Sequence, residues 1–187
     1  VGASLAGSVE LTFDDGPDPV WTPAVLAALR GSPLRATFFV VGSRAEEHPE
    51  LISSAIVAGH GIELHCYEHV RHDRVDRAFV ERDTDRALDV LAGLGVYPQR
   101  WRTPSGLHAP WTAAIAAERG LELCGWDVDT NDWRGYHAEQ MLADVGPDLR
   151  HGSVVLLHDA VGPGALRINC AETVRFARLM AAEALAA

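Results

Sequence analysis

The chain contains no lysine: its 16 basic residues are all arginine, set against 26 acidic ones, for a formal net charge of −10. The missing lysine, alongside abundant alanine, reads as coding bias. The charge has physical content. Long-range repulsion opposes the approach of nucleic acid and other polyanionic surfaces, whereas neutral or cationic substrates are compatible with it. Cysteine is scarce, at Cys66, Cys124 and Cys170. An odd, widely spaced set is not a disulfide framework, so Cys124 and Cys170 read as buried, reduced thiols in a reducing compartment. No apolar run approaches the about 20 residues of a membrane span, so no membrane partner is expected. The first eight residues lack the basic and apolar segments of an export signal. The expectation is a cytoplasmic protein, or a secreted one if a leader has been removed. Internal repeats, low-complexity tracts and long linkers are missing too, and nothing marks a protein partner.

What is there is 187 residues with a 48% apolar fraction, expected to form one domain over 1–187 with a substantial core. Short β-rich runs are predicted at 9–13, 36–41, 61–64, 100–102, 121–126 and 153–157. Helical patterns lie between them at 23–30, 49–58, 77–94, 109–119, 138–149 and 172–186. Glycine punctuates several ends, at Gly31, Gly59, Gly95 and Gly120. Apolar strands alternating with helices imply an α/β fold with a largely parallel sheet covered on both faces. The polar residues able to do chemistry fall near strand ends, as on the active face of a (β/α) barrel. The chain is short for eight full units, so the expectation is a distorted or incomplete barrel.

Thr12-Phe13-Asp14-Asp15-Gly16-Pro17 ends the first strand with two adjacent carboxylates. His65-Cys66-Tyr67-Glu68-His69 follows the third with two imidazoles four residues apart. In a pure strand the two acids would face opposite ways, but the Gly-Pro turn can bend them to one pocket. If residues 64–72 start a helix, the i, i+4 spacing puts both histidines on one face. Two imidazoles and one carboxylate suit a divalent metal with open positions, and the second carboxylate is left to act as a base. Arg102, in Trp101-Arg102-Thr103-Pro104-Ser105-Gly106, sits where it can pair with Asp14 and keep it ionised. Trp126-Asp127-Val128-Asp129-Thr130-Asn131-Asp132-Trp133 offers acids to orient a histidine and tryptophans to wall a pocket or stack on a sugar ring. His158 closes the apolar strand Val154-Val155-Leu156-Leu157, at the mouth of which an imidazole can serve proton transfer. His48, His72, His108, His137 and His151 read as surface residues, and His60 as structural.

These segments, in this order, resemble the NodB-homology polysaccharide deacetylases (carbohydrate esterase family four) over about residues 9–185. The resemblance implies a distorted (β/α) barrel and a metal-dependent hydrolase of amide bonds. It would give the metal to Asp15, His65 and His69, the general base to Asp14 and the general acid to His158. Arg102 would tune Asp14, with Arg35 a second candidate, and Asp132 would orient His158. Trp133 and Leu156 would line the acyl pocket, and a backbone N–H near Ser105 would meet the oxyanion. The implied cofactor is one divalent ion: zinc first, with cobalt, nickel or manganese as alternatives. Two departures from the family stand out. Ser105 replaces the usual aromatic residue, which opens one wall. Cys66 replaces a small hydroxyl residue beside an unusual Glu68, where it could disturb the histidines or itself become a soft ligand. The substrate expected is an N-acetylated amino sugar, as a small soluble glycoside or natural-product intermediate. Oligosaccharides, O-acetyl esters, formyl groups and sugar binding without turnover remain as alternatives.

Overall fold

A computed structural model describes residues 9–186. The core of the fold is seven parallel strands: β1 (Glu10–Asp14), β2 (Ala36–Val41), β3 (Gly61–Cys66), β4 (Arg100–Trp101), β5 (Glu122–Leu123), β6 (Val128–Asp129) and β7 (Val154–His158). Their order across the sheet is β5-β4-β3-β2-β1-β7-β6. The sheet curls into a half-barrel of the expected incomplete type. Helices α1 (Trp21–Leu29), α2 (Gly42–Glu47), α3 (Pro49–Val57), α4 (Arg77–Gly93), α5 (Thr112–Glu118), α6 (Ala138–Val145) and α7 (Ala171–Ala186) accompany it. Among the described residues no helix is long and apolar enough to cross a membrane.

Local chemistry explains the elements. Every residue of β2, Ala-Thr-Phe-Phe-Val-Val, is buried, as a strand covered on both faces requires. Phe13 of β1 stacks on Phe38 of β2 with ring centroids 5.2 Å apart, which ties the central pair. Helix α4 begins where the Asp76 carboxylate accepts the Phe79 N–H. Left-handed glycines follow α3 and α4, at Gly59 and Gly95.

Two expectations are corrected. The apolar run at 121–126 is not one strand. The strand ends at Leu123 and the chain bends at Asp127, so β5 pairs with β4 at one edge while β6 pairs with β7 at the other. The chain thus crosses the open side of the half-barrel at this point. Residues 64–72 do not start a helix: His65 lies on β3, His69 on the irregular stretch after it, and a 3₁₀ turn covers His72–Arg74. Pairing of β3 with β2 and β4 claims the backbone that a helix would have needed.

Candidate active site

β1 delivers the two acids. Asp14 ends the strand in register with His158 on β7, so the two are neighbours across the parallel pair. Asp15 takes a left-handed backbone, φ 75°, which swings it out of the strand's alternation. Both carboxylates therefore line one cavity of about 400 Å³, together with His65, His69, Ser105, Trp126, Trp133, Leu156 and His158. Arg102 and Asp132 lie buried behind it. The structure thus brings together Asp14, Asp15, His65, His69, Arg102, Ser105, Asp132, Trp133, Leu156 and His158, but neither Arg35 nor the Cys66 thiol.

Arg102 is fully buried and its guanidinium is shared. Nη1 donates to Asp14 Oδ1 at 2.8 Å and to Thr12 Oγ1 at 2.7 Å, and Nη2 donates to the Gly125 carbonyl at 2.7 Å. Its Cζ stands 4.1 Å from the Phe39 ring centroid. Arg35 does not compete for Asp14: its guanidinium lies beside Gly59 at the other end of the strands.

Asp15 Oδ1 stands 3.5 Å from His65 Nε2 and 3.2 Å from His69 Nε2. His65 Nδ1 lies 2.6 Å from the Arg102 carbonyl, which can only accept, so the ring donates there and Nε2 keeps its lone pair. Asp15 Oδ1 and His65 Nε2 are both buried without a hydrogen-bond partner. Two facing acceptors call for a cation. The Asp15, His65 and His69 ligand atoms lie within 4.8 Å of one another, which fits a divalent metal. Cys66 is no part of this group; its thiol is buried, and burial pushes it well above its ordinary range.

Asp132 is the acid that reaches His158. Its Oδ1 accepts from His158 Nδ1 at 2.8 Å. Its Oδ2 accepts from the His158 backbone at 2.9 Å, from Arg167 Nη1 at 2.8 Å and from Thr173 Oγ1 at 2.7 Å. Burial disfavours the imidazolium, but Asp132 more than compensates, and His158 is pushed up to about 9. Asp127 and Asp129 serve the backbone instead, accepting from Val154 N and Asn131 N. Behind His158, Asp159 accepts the Thr22 hydroxyl, and burial pushes its carboxyl up to about 7.

Several contributors were not named from the sequence. Arg167 sits in irregular chain 35 residues from Asp132, with no local pattern to mark it. Arg71 lines the cavity mouth. Gly162 belongs to a Gly-Pro-Gly loop that reads only as a turn, yet a Cβ there would lie 1.8 Å from Asp15 Oδ2. Gly162→Ala is therefore expected to displace either that loop or the Asp15 carboxylate. The overpacking cost is about 1–3 kcal/mol. Thermal unfolding, read beside divalent-metal uptake, checks it.

The other histidines divide differently from expectation. His108, His137 and His151 are exposed and His48 is half-buried. His72 is buried against Thr112 Oγ1 at 3.2 Å, and burial pushes it down to about 4. His60 is structural as expected, Nδ1 accepting from Ala36 N. Cys170 is buried, whereas Cys124 is only partly so.

A family model for polysaccharide deacetylases matches residues 2–124. A chitooligosaccharide deacetylase of Bradyrhizobium is 35% identical over 162 residues, 86% of this chain and 74% of that protein. A peptidoglycan-N-acetylglucosamine deacetylase of Bacillus cereus is 34% identical over 155 residues, 82% of this chain and 56% of that protein. Among solved structures, a family 4 carbohydrate esterase from Streptomyces lividans in complex with acetate superposes with a TM-score of 0.85. It is 31% identical, over 96% of this chain and 88% of that one.

Proposed function

The chain belongs to the polysaccharide deacetylase family, and we propose that it is a metal-dependent N-deacetylase of N-acetylated amino sugars. The observation that carries this reading is the convergence on one cavity of the Asp15–His65–His69 group, with Asp15 Oδ1 and His65 Nε2 buried and unpartnered, an Asp14 paired with Arg102, and a His158 paired with Asp132. Zinc is the favoured occupant, with cobalt, nickel or manganese as alternatives; bound there, it would supply Lewis-acid polarisation of the acyl carbonyl and of the attacking water.

The chain's own residues do the rest. Asp14, fixed by Arg102, accepts a proton from the attacking water. His158, charged through Asp132, gives a proton to the departing amine. Trp133 and Leu156 form the apolar wall for the acyl methyl, and the backbone about Ser105 supplies the donor for the developing oxyanion. Acetate and the free amine leave.

For the substrate, we propose a small soluble glycoside or natural-product intermediate. The support is the size of the cavity, the exposed Ser105 at its wall, and the acidic charge of the chain. The names of the relatives favour a second reading, an N-acetylglucosamine oligomer. Acetate release from N-acetylated monosaccharides, glycosides, nucleotide sugars and chitooligosaccharides separates the two. The enzyme is first stripped with chelator and then given zinc, cobalt, nickel or manganese. Loss of release on chelation and its return with metal are expected. Release from oligomers alone would transfer the substrate to the second reading. No release from any N-acetyl compound would defeat the proposal.

A further inference from the structure

We propose that Asp83, on α4 and outside the cavity, is a positioning residue that holds the segment carrying His69 and so sets the geometry of the Asp15–His65–His69 group. This rests on the reading of that group as a metal site. The three ligands are held in unequal ways. His65 is part of β3, which is locked between β2 and β4, and its ring donates to the Arg102 carbonyl. Asp15 directly follows β1. His69 has no such frame: residues 67–71 belong to no helix or strand.

The Asp83 carboxylate holds that stretch. Oδ2 accepts the Tyr67 N–H at 2.8 Å and Oδ1 accepts the Glu68 N–H at 2.7 Å. One rigid carboxylate thus takes two successive backbone donors from a position 15 and 16 residues away in the chain. It fixes the peptide plane between them and the direction in which the chain proceeds to His69. The Tyr67 side chain adds a second anchor to the same wall. Its hydroxyl donates to Glu46 at 2.7 Å, its ring lies under Arg86 at 3.8 Å, and Gly42 leaves room for it. Cys66, next in the chain, offers only a buried thiol, a weak hydrogen-bonding group. Charge-assisted hydrogen bonds to backbone N–H groups are roughly twice as strong as neutral ones, so Asp83 is the stronger tether.

The test measures zinc affinity by competition with a chromophoric chelator, and thermal unfolding of the metal-stripped protein, for wild type, Asp83→Asn and Asp83→Ala. Outer residues that orient metal ligands typically control affinity by about 10–100-fold. Asp83→Ala, which frees both N–H groups, is expected to weaken zinc binding by that factor. Asp83→Asn keeps one acceptor oxygen and is expected to fall between Ala and wild type, and it carries the test if the Ala variant does not fold. A purely structural role would lower the unfolding temperature while leaving zinc affinity within about threefold of wild type in both variants; that result overturns the proposal. A wild type that takes up no zinc overturns the metal-site reading first, and this proposal with it.

Discussion

Asp14→Asn is expected to lower kcat by about 10²–10⁴-fold, the range that a positioned general base supplies. The substitution suits the site because it separates chemistry from architecture. Asn keeps the size of Asp and an oxygen for Arg102 Nη1, which now donates to Asp14 at 2.8 Å. The buried guanidinium therefore retains its partners Thr12 and Gly125 and an acceptor at position 14. What disappears is the ability to accept a proton. Zinc affinity and thermal stability are expected to stay close to wild type, because Asp15, His65 and His69 are untouched. Asp14→Ala is a poorer probe. It leaves one side of a fully buried arginine unpaired, and breaking such a pair costs about 3–5 kcal/mol. Steady-state kinetics on a responsive N-acetyl substrate, read beside a zinc titration, checks the prediction. A kcat within a factor of a few of wild type would remove Asp14 from the role of base.

How much of this was legible beforehand depends on the range over which each signal acts. The acids at 14 and 15, His65 and His158 each sit at the end of an apolar run. Strand ends are readable locally, and a parallel sheet then gathers them at one end of the sheet. The conformation joining His65 to His69 was not readable. Four-residue spacing is shared by a helix face and by a strand followed by an irregular turn, and the decision lay in pairing with β2 and β4. The ending of the 121–126 run at Leu123, with β6 following only at Val128–Asp129, has the same origin: nothing local marks the break, which follows from pairing at the two edges of the sheet. Arg167, Asp83 and Gly162 act on partners far away in sequence or in another element, and their meaning is entirely tertiary. Arg35 and Arg102 were separable from the predicted strands themselves, since in a parallel sheet a residue that precedes a strand lies at the opposite end from one that closes a strand.

Asp132→Asn is expected to move the alkaline limit of activity downward and to destabilise the fold. His158 serves as an acid, so it works while protonated. With its pKa raised to about 9, activity should persist through neutral pH and fall as pH rises through that value. Burial opposes this charge, and Asp132 is the largest cause favouring it. Without the carboxylate the limb should shift toward or below about 6.5, the ordinary value for histidine. At pH 8 the variant would then hold His158 mostly neutral, with a rate loss of up to about 10²–10⁴-fold. The stability effect has a distinct pH signature. A pKa raised in the folded state stabilises fully below the unfolded value near 6.5 and loses that contribution as pH rises through 9. The His158 part of the difference between wild type and variant is therefore largest in mild acid and shrinks between those values. A second part does not titrate there. Asp132 Oδ2 also accepts from Arg167 Nη1 and Thr173 Oγ1, and the Arg167 side chain is only 6% exposed. Asn can offer one oxygen to this set of donors, and its amide hydrogens would face the others. A loss of up to about 3–5 kcal/mol is expected from the broken buried pair. Denaturant unfolding at pH 6 and pH 9.5, with kcat profiles over the same range, separates the two parts. A variant whose alkaline limb stays at 9 would show that Asp132 does not set the His158 proton, whatever happens to its stability.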